Sequence, residues 1–317
     1  MHCSTLRVAI PIALAAAAAC SDAKPPTEPE ADPVQSGPAF AAGGGGSGVK
    51  PDGKGIGTRL YSVGPRTRYR PEYHRGVVRV NTSHVYFIFY GSWPEQSPAP
   101  TILTDFVIRL SGTSYWNINT LYHESYGNPV SSSLLWGSNI NDPYSAGSTL
   151  SDADVELVVS SAVLAEQLPL DPQGIYVVVG SPDVTVTSGL GQTWCAFHQK
   201  TTVYGIQIAY AFIGHPARNP LECAPQLTGP SGDFAADAMV GILATTLSNV
   251  LTDTHLNAWY DRLGLEPADK CAWTFGTTYQ TPNGALANIR LGGQDYLLPR
   301  LWVPQKGNNG YCAMAAP

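Results

Sequence analysis

The stretch Asp233–Trp273, DFAADAMVGILATTLSNVLTDTHLNAWYDRLGLEPADKCAW, decides how the rest of the chain is read. Ala236, Val240, Leu243, Leu247 and the pair Val250–Leu251 recur at three- and four-residue steps, which predicts a helix with one apolar stripe turned to a core. Asp233 or Asp237 can cap its start by accepting from backbone N–H groups that the first turn leaves unpaired. Asn249, Thr252 and Asp253 are poor helix formers and mark its end. The second half reads as loop and carries Trp259, Tyr260, Asp261, Asp269 and Cys271. A helix running into a polar, aromatic-rich turn is a common way to build a site.

Outward from that helix the chain reads as alternating strands and helices. Val77–Val80, His84–Gly91, Tyr115–Tyr122, Ser131–Trp136, Ile175–Gly180, Thr193–His198 and Ile206–Ile213 have strand patterns, and His84–Gly91 is apolar on both faces, as an interior strand must be. Thr101–Leu110 and Asp152–Gln167 have helical spacing, the latter with acids in its first turn that suit the helix dipole. No internal repeat is visible. The expectation is an α/β (α+β) single domain, a mixed sheet with helices packed on it.

The composition agrees with an exported protein. Of 317 residues only 13% are charged while 44% are hydrophobic, with many glycines and prolines. A net charge of -6 argues against nucleic acid, which needs a basic face. The basic run Arg66, Arg68, Arg70, Arg75 and Arg79 reads as a solvated surface ahead of the first strand.

Residues 1–20, MHCSTLRVAIPIALAAAAAC, have one Arg before an apolar run and small residues before Cys20, the layout of a signal peptide. Ala17-Ala18-Ala19-Cys20 resembles a bacterial lipoprotein signal, which implies lipidation at Cys20 and an outward-facing, lipid-anchored protein in the cell envelope; full secretion after simple cleavage is the alternative. Residues 21–57 are rich in Pro, Glu, Ala and Gly and read as a disordered tether, with the folded domain over 58–317. The four later cysteines imply two disulfides, and Cys195–Cys223 with Cys271–Cys312 are favoured because each closes the shorter loop. Neither C-x-x-C nor H-x-x-H spacing supports zinc, so no metal and no cofactor is expected.

Several segments resemble, in order, the EXORDIUM or phosphate-induced protein 1 family. They are Val85–Trp93 (VYFIFYGSW), Tyr115–Ile118 (YWNI), Tyr176–Val186 (YVVVGSPDVTV), Cys195–His198 (CAFH), Asp237–Val240 (DAMV) with Leu243–Thr245, and Tyr296–Pro299 (YLLP) with Cys312. The resemblance implies a secreted or wall-associated protein linked with growth responses, with no cofactor and no agreed catalytic residue. A more distant resemblance runs from Thr245–Asp253 through Asn257–Asp261 to Asp269–Cys271, which is similar to the helix and loop of zinc peptidases and implies a zincin-like arrangement around the central helix. Those enzymes need imidazole to hold zinc and a carboxylate to take a proton from bound water. The matching positions here are Thr245, Thr246 and Asn249, none of which can do either.

The remaining readings are of binding. No Gly-x-Ser-x-Gly elbow and no phosphate-binding glycine loop is present. His198, inside the CAFH segment, and Asp253, Trp259, Tyr260 and Asp261, after the helix, are the candidate ligand contacts. Most other tryptophans sit in strand patterns and read as core. The sequence therefore points to a binding or interaction module without zinc-peptidase catalysis, with cell-wall polysaccharide or a surface protein as its partner. The alternative is an extracellular peptidase- or glycosidase-like hydrolase.

Overall fold

The long helix is buried between a mixed sheet and the C-terminal segment of the chain. The structure is a computed structural model that describes residues 49–54, 56–57, 69–305 and 308–317. The predicted signal, Cys20, most of the tether, and Arg66 and Arg68 lie outside the described residues. The rest belongs to one compact unit.

The core is a six-stranded mixed sheet. Its strands are β1 (Ile56–Gly57), β2 (Ser83–Tyr90), β3 (Leu134–Asp142), β4 (Gly174–Gly180), β5 (Trp194–Val203) and β6 (Ile206–Ile213), in the spatial order β1-β5-β6-β4-β2-β3. Strands β3, β2, β4 and β6 run parallel, while β5 lies antiparallel to β6 and to β1. The interior strands β2 and β4 are buried on both faces, which explains their unbroken apolar runs.

Three helices cover the faces. Helices α1 (Ala99–Leu110) and α3 (Phe234–Thr252) pack on the side of Val85, Phe87 and Phe89. Helix α2 (Asp152–Leu164) packs on the side of Tyr86, Ile88 and Tyr90, and opens with a capping box in which Ser151 and Asp154 satisfy each other's backbone N–H groups. Asp233 caps α3 by accepting from the N–H groups of Ala235 and Ala236, both at 3.0 Å. Asp237 instead accepts from the backbone and hydroxyl of Ser231.

Helix α3 departs from the one-stripe expectation, because every residue from Ala238 to Thr252 is buried. Its second side is covered by the C-terminal segment, whose Leu298, Leu301, Trp302 and Val303 join the same core. Tyr115 and Tyr122 lock that layer by donating to the carbonyls of Pro299 (2.8 Å) and Trp302 (2.7 Å). By length and composition α3 could cross a bilayer, but 89% of its apolar window is buried inside this fold.

Four local readings are corrected. Val77–Val80 joins no sheet: Val77 O accepts from Thr254 N and Arg79 N donates to Leu251 O, so its backbone pairs with the end of α3. Tyr115–Tyr122 is a 3₁₀ turn over Trp116–Leu121, which Thr113 Oγ1 starts by accepting from Trp116 N at 3.2 Å. The folded unit also begins earlier than 58, since Gly53 O accepts from His198 N at 2.9 Å and Ile56–Gly57 pairs with β5. Finally, Arg79 is buried rather than solvated and donates to the carbonyls of Pro172 and Gly174.

The disulfides Cys195–Cys223 and Cys271–Cys312 are both formed. The first ties the start of β5 to the approach to α3. The second ties the turn after α3 to the final hairpin.

Candidate functional site

The end of α3 gathers most of the predicted residues. Thr245 and Thr246 turn their hydroxyls back onto the helix, donating to Gly241 O (3.2 Å) and Ile242 O (2.9 Å). Both are buried and satisfied within the helix. Asn249 faces outward from its turn and organises the following loop. Its Nδ2 donates to Asp269 Oδ1 at 2.8 Å and its Oδ1 accepts from Ala268 N at 2.9 Å. Of the three residues, Asn249 thus fastens the helix to a 3₁₀ turn at Ala268–Cys271, while Thr245 and Thr246 bond within the helix.

His198 reaches the same region from β5. Its Nε2 lies 2.8 and 3.0 Å from the two carboxylate oxygens of Glu266, and both side chains are about fully buried, at 1% exposure. Burial lowers the imidazole to about 4 and pushes the Glu266 carboxyl well above its ordinary range. Both shifts favour the uncharged form of the group concerned. Asp253 closes the helix: Oδ1 accepts from Asn257 N and Ala258 N at 2.5 and 2.6 Å, while Oδ2 is buried with no partner among the described residues. Burial, with the nearby Glu266, raises Asp253 to about 8.

Asp261 is also buried, at 0% exposure, and neutralised by Lys270, whose Nζ lies 2.5 Å from Oδ2. Its Oδ1 accepts from the N–H groups of Leu263 (2.8 Å) and Leu265 (3.0 Å), so one carboxylate holds the whole turn. Tyr260 is buried, with its ring stacked 3.7 Å from the ring of His74. Four of the five candidate contacts, His198, Asp253, Tyr260 and Asp261, therefore hold the fold from within.

Trp259 is the exception. It is partly exposed and lies 5.4 Å from Tyr73 and 5.3 Å from His123 between ring centroids. Its Nε1 donates to His123 O at 2.9 Å, and the Trp259–Tyr260 strand pairs with Glu72–Tyr73. Tyr126, in the adjoining turn, is 91% exposed. Trp116, Trp194 and Trp302 are buried as expected, whereas Trp136 lies exposed on the edge strand β3. The partners Glu266, Lys270, Tyr73 and His123 were not legible from spacing, since they come together only through tertiary contacts.

The region between the Glu72–Tyr73 strand and Cys312 of the second disulfide is also the span matched by a family model. The model of the phosphate-induced protein 1 conserved region covers residues 72–312. The chain belongs to this family. It is similar to Protein EXORDIUM-like 3 of Arabidopsis thaliana, at 29% identity over 74% of this chain and 80% of that protein. It is also similar to Protein EXORDIUM-like 5 of the same plant, at 26% identity over 73% of this chain and 75% of that protein. No solved structure matches the chain.

Proposed function

We propose that this family member is an exported binding module, anchored through Cys20, whose aromatic patch around Trp259 docks on cell-wall polysaccharide. The carrying observation is that Trp259, Tyr73 and His123 form a partly open ring cluster, while the polar groups behind it are committed to one another. Flat aromatic surface at low conformational cost suits the apolar face of a pyranose ring. Two disulfides support an oxidising compartment. The side-chain bonds of Thr245, Thr246 and Asn249 support a reading without zinc-peptidase catalysis.

Sedimentation with insoluble polysaccharides (cellulose, xylan and peptidoglycan) tests this. The wild-type protein is expected to pellet with at least one of them, and Trp259→Ala is expected to weaken that binding about tenfold, roughly 1.4 kcal/mol. Equal pelleting of both proteins removes the patch from the function. Stoichiometric zinc in the purified protein would instead restore the peptidase reading.

A further inference from the structure

The opposite end of the sheet carries an arrangement that the Trp259 patch does not use. From β2 the chain crosses the face covered by α1 to reach β3, and it returns over the other face through α2 to reach β4, on the far side of β2. The connections after β2 and β4 therefore diverge. In open α/β sheets this divergence leaves a crevice outside the carboxyl ends of the two strands, where ligands bind. Here the two strand ends are Tyr90-Gly91-Ser92-Trp93 and Gly180-Ser181-Pro182-Asp183, which belong to the segments first singled out in the sequence.

We infer that the carboxyl ends of β2, β3 and β4 form a binding site for a neutral, hydroxyl-rich ligand the size of one sugar residue. The two strand ends are packed against each other: Gly91 has φ +96°, and a Cβ there would collide with Ser181 Oγ. Trp93 supplies a partly exposed ring, set edge-on to Phe89 at 5.7 Å and tilted against His215 at 5.7 Å. Its indole N–H is buried and has no partner among the described residues.

The polar groups are held firmly but face outward. Asp183 is exposed and accepts from Ser181 Oγ at 2.6 Å and from Tyr144 Oη. Asp142, at the end of β3, accepts from Ser145 N (2.8 Å) and Ser145 Oγ (2.6 Å). Each carboxylate oxygen can accept a further bond, so neighbouring ligand hydroxyls can be shared between them. Arg218 is exposed and donates to Pro182 O at 3.2 Å, and a guanidinium with five N–H donors can donate further. Acceptors and donors thus lie at the ends of adjacent strands, with the Trp93 ring on the side of Phe89 and His215.

Other ligand chemistries fit less well. Two carboxylates disfavour an anion. Among the described residues no group of three or more metal-ligating side chains is assembled. The site does not depend on the Trp259 reading, because α3 separates the two: it starts beside His215 and ends beside Val77 and Arg79, which lead into the amino end of β2.

Saturation-transfer NMR with millimolar D-glucose, D-xylose and D-galactose tests the inference. Trp259→Ala silences the patch of the proposed function, and this variant is still expected to transfer saturation to at least one sugar, with at least a fivefold further loss when Asp183→Asn and Tyr144→Phe are added to it. Arg218→Ala in the same background, which loses only a surface bond, is expected to lose signal as well; it decides the matter if the combined variant melts early. The inference is overturned by no transfer to any of these sugars in the wild type. It is equally overturned by undiminished transfer in these variants when folded, or by a signal that Trp259→Ala abolishes.

Discussion

Around the end of α3, ionisable groups are buried and bonded to one another; at the carboxyl end of the parallel strands, groups of the same types sit in the open. Asp261 and Lys270 are sealed in contact, and His198 and Glu266 are hydrogen-bonded in the interior. Asp183 and Arg218, by contrast, are exposed, and their bonds are to neighbouring loops. Buried charges are costly unless paired and bonded, so the first group is bound to the fold's stability. Exposed groups held by short local bonds are placed without being consumed, and remain able to meet a ligand.

The contrast breaks most visibly when one partner of a buried pair is removed. Lys270→Ala leaves Asp261 uncompensated and is expected to cost about 3–5 kcal/mol in urea unfolding. Asp183→Asn, at the exposed end, is expected to cost under about 1 kcal/mol. Similar losses at both ends would erase the distinction. Next in size, Cys271→Ser with Cys312→Ser frees the turn that carries Lys270 and is expected to cost about 2–4 kcal/mol. The wild type in reductant, which opens both disulfides, should show a larger drop in melting temperature than this variant.

Titration sharpens the comparison further. Asp253 is raised to about 8 in the fold, so it favours the folded state while protonated, and this contribution is lost as pH rises from about 4 through 8. Glu266, raised in the same sense, adds to that loss. His198, lowered to about 4, acts oppositely and contributes stability that is lost as pH falls from about 6.5 through 4. Above pH 6.5 only the acids remain in play, so the urea midpoint should fall between pH 6.5 and 8. Asp253→Asn should flatten that slope, and an unchanged slope would show that Asp253 is not held protonated. The smallest effect expected is from Asp233→Ala, which removes the α3 cap and costs about 1 kcal/mol by thermal melting.

Much of the fold was legible in local pattern. The apolar runs at β2 and β4, the helical spacing of α1 and α2, and the cap at Asp233 all act between near neighbours in the chain. Tyr115–Tyr122 was misread because alternation is ambiguous in a short segment, and Thr113 resolves it by starting a 3₁₀ turn. Val77–Val80 was misread because a β-rich segment can bond a helix end as readily as a strand. At the site, Trp259 was visible as an aromatic in a loop, but its ring partners Tyr73 and His123 come from far earlier in the chain.

By itself the sequence determined most strands and helices of the core and that α3 is the most apolar helix, and it favoured the cysteine pairing that closes the shorter loops. These depend on short-range periodicity, capping and loop length. Only the tertiary structure decided which polar residues are committed and which are available. His198, Asp253 and Asp261 look as reactive on paper as Asp142 and Asp183, but the fold buries the first three and leaves Asp183 exposed and Asp142 half-buried. The reason is physical: burial and partnership are properties of packed layers, and no local spacing records which layer will cover a side chain.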